Sequence, residues 1–114
     1  MLRAHVWLCL ALLGAAGCGG SDREDVQMIC DSRLDLAGTE PGEARVQHAI
    51  DHLVGLARRA RTDTGRDLLS RMTSSGLHPD DRIGVLAAAS ANAEIPPDEC
   101  ALIPILRSAF ERPR

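Results

Sequence analysis

Apolar residues recur three or four positions apart along most of this 114-residue chain, and that spacing constrains the fold more than any other feature. The pattern is typical of helices that bury one face. No stretch alternates apolar β-branched and polar residues as a half-buried strand would, and no Asn-Gly or Asp-Gly pair predicts a hairpin. The sequence therefore predicts an all-α domain, a small bundle of four to five short helices.

Capping residues, prolines and glycines predict where these helices begin and end. Ser21 and Glu24 have the form of a capping box, and Thr64 with Asp67 suits the start of a short third helix that Gly76 ends. Pro104 is expected to kink the last helix or to lie in its first turn. The other predicted helices span residues 22–37, 42–60, 78–91 and 98–111.

The N-terminus has the order of charges and apolar residues found in secretory signals. Arg3 precedes an apolar run over residues 6–13, and small residues follow up to Cys18. The run is well short of the ~20 residues that a membrane-spanning helix needs, so a retained anchor is the weaker alternative. We expect residues 1–17 to be a signal peptide that is removed.

The residues before Cys18 carry a resemblance to a known class of signal. Ala15-Ala16-Gly17-Cys18 resembles the lipobox of bacterial lipoproteins, although Ala15 stands where that family most often has Leu. The resemblance implies cleavage before Cys18 and acylation of its thiol, with membrane lipid as the partner. Ordinary secretory cleavage, with Cys18 as a plain disulfide partner, is the alternative. With cleavage and acylation at Cys18, residues 18–21 are expected to be the lipidated Cys and a short flexible linker, and residues 22–114 the helical domain.

The same resemblance predicts a location. No Asp follows Cys18 directly, as in lipoproteins that are sent on to the outer membrane. We therefore expect a lipid-anchored protein of the cell envelope, held at the outer membrane and facing the periplasm. The whole-chain layout is similar to that of the small uncharacterised helical lipoproteins of GC-rich Gram-negative bacteria, a similarity that implies no activity.

The cysteines of the mature chain predict one disulfide. Cys9 lies in the signal and Cys18 is assigned to lipid, which leaves Cys30 and Cys100. An oxidising compartment favours a bridge between them. A catalytic thiol is the alternative, but neither residue has an adjacent base or a second Cys at CxxC spacing.

Two histidines four positions apart are the candidate metal ligands. His48 and His52 resemble the H-x-x-E-H pattern of inverted zinc proteases, with Asp51 in place of the Glu. Both fall away from the apolar face of their helix, so the simpler interpretation is a pair of solvated side chains. No cofactor is expected, and a small metal-binding protein or metallohydrolase using these histidines is the alternative function.

Charge and aromatic content exclude one class of partner. The chain has a formal net charge of −3 at pH 7, one Trp, one Phe and no Tyr, so neither a basic surface nor a stacking platform for nucleic acid is expected. All 13 basic residues are Arg. One cluster at the end of the second helix is either a solvated turn or a contact for anionic lipid or an acidic partner; it comprises Arg58, Arg59, Arg61 and Arg66.

These observations together predict a function without catalysis. We expect a membrane-tethered envelope lipoprotein that acts as a binding or structural module, with an envelope protein as its partner and no enzymatic activity.

Overall fold

The computed structural model describes residues 21–111, which form five α-helices and no strand. The helices are α1 (Asp22–Asp31), α2 (Glu43–Ala57), α3 (Asp63–Met72), α4 (Pro79–Asn92) and α5 (Leu102–Phe110), with a 3-10 turn at Pro97–Glu99. The all-α prediction is confirmed. The predicted signal peptide, residues 1–17, and the predicted lipid site, Cys18, lie outside the described residues.

One aliphatic core joins all five helices. α1 packs across α3, α4 and α5, α2 packs on α3 and α5, and α4 contacts both α3 and α5. Phe110 is the one aromatic residue among residues 21–111, and the largest fully buried side chains include Leu53, Leu69, Leu86 and Leu106. Tight packing therefore depends on branched aliphatic groups.

The disulfide prediction is confirmed. Cys30 in the last turn of α1 is bonded to Cys100, which lies just before α5, and their Cα atoms are 4.6 Å apart. Neither residue has measurable solvent exposure. The bridge therefore joins the first helix, from within the core, to the segment just before the last helix.

α1 is shorter than its predicted span. The helix ends at Asp31 instead of continuing to Ala37, and the Ser32 hydroxyl donates to the Ile29 carbonyl at 2.7 Å. Ser32 has extended backbone angles. Leu34 still reaches the core, but from extended chain, which explains why the apolar spacing suggested more helix.

The ends of α3 also differ from the prediction. Its N-cap is Thr62 and not Thr64, because the Thr62 hydroxyl accepts from the Gly65 amide at 3.0 Å. The helix ends at Met72, with Thr73 as C-cap, and Gly76 lies further on in a turn with a φ of 82°. The Thr62 hydroxyl, which also contacts Asp25 of α1, therefore caps the helix in place of the predicted Thr64.

The last predicted helix is divided in two. The 3-10 turn at Pro97–Glu99 is separated from α5, and Pro104 lies in the first turn of α5. Proline is tolerated there because amides of the first turn have no partner within the helix. Of the two alternatives for Pro104, the first-turn position is the one observed.

Candidate functional site

A groove of about 920 Å³ runs between the start of α1 and the facing sides of α3 and α4. Clefts of this size are in the range that holds small molecules or short peptide segments. Apolar or small residues form much of its surface, namely Val26, Leu68, Gly84, Val85, Ala88 and Ala89. We call this cleft the α3–α4 groove.

Small residues on α4 keep the groove open. A Cβ atom built on Gly84 would meet no other atom within 4 Å, and Ala88 is exposed. Larger side chains at these two positions would project into the cleft. The space therefore follows directly from the glycine and alanine content of α4.

Charged residues at the edge of the α3–α4 groove are mostly acidic. The acidic members are Asp22, Asp67, Asp80, Asp81 and Glu94, and two arginines, Arg23 and Arg71, accompany them. An apolar surface with an acidic rim is complementary to an apolar segment that carries basic residues.

Glu94 lies at the groove in a backbone conformation that favours glycine. Its φ is 62°, the one positive φ among the described residues other than glycine. The amides of Ile95 and Glu94 donate to the carbonyls of Ser90 and Ala91 at 2.9 and 3.0 Å, which is the Schellman arrangement at the end of α4. Left-handed backbone costs a side-chain-bearing residue about 1–2 kcal/mol relative to its usual state. Many helices end with a left-handed residue at this position, so Glu94 ends α4 at the groove with a side chain where glycine is the usual residue.

A buried carboxylate holds α1, one wall of the groove, in place. Asp25 is 4% exposed and accepts hydrogen bonds from the backbone amides of Arg61 and Thr62 at 3.0 and 2.8 Å, and from the Thr62 hydroxyl at 2.6 Å. Burial raises the pKa of Asp25, but these hydrogen bonds and the nearby Arg66 charge together bring it below its ordinary value of 3.8. The carboxylate therefore stays ionised and ties α1 to the turn between α2 and α3.

The close approach of Asp25 requires a glycine on α3. A Cβ atom built on Gly65 would lie 2.3 Å from Oδ2 of Asp25 and 2.8 Å from its Cβ. No side chain fits without moving the carboxylate. Gly65 and Asp25 therefore form one structural unit.

A buried arginine fixes α4, the opposite wall. Arg82 is 7% exposed, and its guanidinium donates to the Met72 carbonyl at the end of α3. Its Cζ lies 5.9 Å from the centre of the Phe110 ring. Arg82 thereby joins α3, α4 and α5 behind the groove.

The two candidate metal ligands, His48 and His52, form hydrogen bonds to the segment that follows α1. His48 Nε2 lies 3.0 Å from the Asp35 carbonyl, and His52 Nε2 lies 3.0 Å from the Ser32 hydroxyl. That hydroxyl gives its own proton to Ile29, so Nε2 of His52 is the donor in this contact. His52 is half-buried instead of fully solvated as expected, and burial, followed by the His48 and Arg59 charges, lowers its pKa below 6.5.

The arginine cluster lies at the junction of α2 and α3. Arg58, Arg59 and Arg61 are exposed, whereas Arg66 donates to the Asp63 carboxylate at 2.7 Å and to the Ala60 carbonyl at 3.0 Å. The structure therefore places the four predicted residues together, with three guanidinium groups directed at solvent.

Two further observations concern residues 21–111 alone. Within this range no three His, Cys, Asp or Glu side chains are grouped closely enough to hold a metal ion. No helix in the same range combines the length and apolar character needed to cross a membrane.

Comparison with protein-family models, with curated proteins and with solved structures finds no match for this chain. The class that its described residues define is that of a small all-α domain closed by one disulfide.

Sequence reasoning missed the α3–α4 groove, Asp25, Arg82 and Glu94. The groove residues come from three helices, and no local pattern indicates which faces of those helices meet. One signal was available: α4 is rich in alanine and glycine, and such small residues leave space on the face of a helix that has no close neighbour.

Proposed function

We propose that this protein is a lipid-anchored module of the bacterial cell envelope whose α3–α4 groove binds a segment of a partner protein. The lipobox-like residues ending at Cys18 support the anchor. The α3–α4 groove supports the binding role, and the observation that carries it is its open, partly apolar surface, where Gly84 and the exposed Ala88 leave space. The acidic rim favours a partner segment with an apolar helical face and basic residues beside it.

The anchor is tested by intact mass. The protein is extracted from bacterial membranes and weighed before and after reduction and alkylation. We expect a species that starts at Cys18, carries acyl chains, and gains two alkyl groups only after reduction. A species without acyl mass would overturn the anchor while leaving the groove to be tested separately.

The groove is tested by site-specific crosslinking in cells. A photoreactive amino acid replaces Ala88, which lines the groove, or Ala91, which is exposed on the same helix outside it. We expect a discrete adduct from position 88 alone, and we expect the adduct to map to an apolar segment with basic neighbours. Identical products from both positions, or an adduct on an acidic segment, would overturn the proposed binding site.

A variant with a larger side chain in the groove tests the same site by its affinity for the partner segment. A peptide copied from the crosslinked segment is titrated into the purified protein. Ala88→Trp should weaken binding at least about tenfold by occupying the cleft, and Ala91→Trp should leave it unchanged. Equal affinities for the two variants would count against the groove.

A further inference from the structure

The exposed arginines at the α2–α3 junction combine an anchored backbone with guanidinium groups that form no ion pair within residues 21–111. We call Arg58, Arg59 and Arg61 the arginine corner. The Asp25 carboxylate binds the backbone amides of Arg61 and Thr62, so the corner's backbone is anchored to α1. Among the described residues, none of the three guanidinium groups has an ion-pair partner.

The arginine corner lies beside the end of the domain that would carry the lipid. Asp25 belongs to the first turn of α1, which begins at Asp22 directly after Ser21. Cys18 is three residues before Ser21, and three residues of fully extended chain span at most about 11 Å. A membrane that holds a lipid on Cys18 is therefore close to the corner.

The corner differs in charge from the rest of the protein. The chain has a net charge of −3, and the α3–α4 groove has a mostly acidic rim. Against an anionic membrane the acidic surfaces are repelled and the corner is attracted. Each arginine near such a surface contributes about fivefold to association, and a basic patch is the usual second signal beside a lipid chain.

We propose that the arginine corner docks on the anionic phospholipid headgroups of the membrane that holds the Cys18 lipid, and that this contact orients the domain. The inference rests on the proposed lipid anchor and adds a second contact to it. The occupant is the bilayer surface, because the corner's position near Cys18 brings it to that surface.

The absence of lysine makes a direct test possible, because an arginine-selective reagent then labels every side chain type that is counted as cationic at pH 7. The acylated protein, with its acyl mass verified first, is added to preformed vesicles of phosphatidylcholine alone or with about one third phosphatidylglycerol. Phenylglyoxal is then applied, and modification at each arginine is followed by mass spectrometry.

We expect modification of Arg58, Arg59 and Arg61 to slow about fivefold or more on the anionic vesicles. Exposed arginines elsewhere, Arg33 and Arg107, should react at the same rate on both vesicle types. High salt should remove the protection. Equal rates at the corner, or equal protection of all arginines, would overturn the inference.

Charge variants separate docking from a structural role. Amide hydrogen exchange over residues 58–66 should slow on anionic vesicles for the unaltered protein, for R33Q/R107Q and for R58K/R59K/R61K, but not for R58Q/R59Q/R61Q. Thermal unfolding should be the same for all four proteins. Loss of protection in the lysine variant would overturn docking by charge. A protein without acyl mass would overturn both the anchor and this inference, whereas an acylated protein without corner protection would overturn the inference alone.

Discussion

The Asp25 carboxylate accepts hydrogen bonds from the backbone amides of Arg61 and Thr62, which lie 36 and 37 residues further along the chain. It accepts hydrogen bonds from two backbone amides and one hydroxyl in the turn before α3, in part-buried contacts that would otherwise lack an acceptor from the protein. A buried donor left unsatisfied costs about 1–3 kcal/mol. The sequence indicated only a capping box of Ser21 and Glu24 at the start of α1, because the hydrogen-bond partners of Asp25 are remote along the chain.

Asp25→Asn should lower the free energy of unfolding by about 1–3 kcal/mol at pH 7, since the amide nitrogen would face a backbone N–H that needs an acceptor. Asp25 has a lower pKa folded than unfolded, so its contribution is present above pH 3.8 and is lost as the pH falls through the folded value. Urea unfolding followed by far-UV circular dichroism at several pH values measures both effects.

The control for this change is Asp31→Asn, an exposed carboxylate on the same helix. It should change stability by no more than about 0.5 kcal/mol. If the difference between the protein and Asp25→Asn stayed constant down to pH 2, Asp25 would not be the group that titrates.

Glycine-to-alanine changes on two helices should act in opposite directions. Gly65→Ala would force Asp25 from its partners and should cost about 1–3 kcal/mol. Gly84→Ala meets open space in a helix and should add about 0.5–1 kcal/mol. Chemical unfolding of both variants tests the pair, and destabilisation by Gly84→Ala would mean that the α3–α4 groove is occupied by neighbouring atoms.

At the level of helices, the sequence was reliable where the end of a helix depends on adjacent residues. The start of α4 is as expected, with His78 accepting from the Asp80 amide and Pro79 in the first turn. The end of α1 was not predictable. Leu34 follows the apolar residues of α1 at helical spacing, yet it reaches the core from extended chain after the helix has ended. His52 contributes to that difference by holding Ser32.

The end of α4 gives a prediction at the same scale. Glu94→Gly should raise stability by about 1 kcal/mol, because glycine adopts the left-handed conformation at little cost. The same change should weaken binding of a basic partner peptide. Glu94→Gln keeps the strain and removes the charge, so it should weaken binding without the gain in stability. A Glu94→Gly protein of unchanged stability would show that the left-handed backbone carries no strain.

At the level of the whole molecule, the fold class and the disulfide could be predicted, whereas the α3–α4 groove could not. Periodicity and cysteine count are properties of the chain itself, and they specified an all-α domain with Cys30 bonded to Cys100. The shape of a groove depends on which helix faces are left without a neighbour, and that is decided only by the packing of all five helices.

Removal of the disulfide should have the largest single effect on stability. The bridge closes a separation of 70 residues, which corresponds to about 4 kcal/mol by the chain-entropy estimate. C30S/C100S should therefore unfold at much lower temperature, as measured by circular dichroism, while remaining attached to membranes. Loss of membrane attachment would instead show that the assignment of Cys18 to lipid is wrong.

Because the bridge links α1 to Cys100, just before α5, the three connections between α1 and α4 and the 3-10 turn after α4 all belong to one covalent ring. A protease that cuts once anywhere in that ring opens it without releasing a fragment, and the two pieces stay joined until a reductant reaches the buried sulfurs. A nicked molecule would therefore migrate as one species on a non-reducing gel and as two after reduction. Damage inside the ring leaves every helix tethered to the same N-terminus.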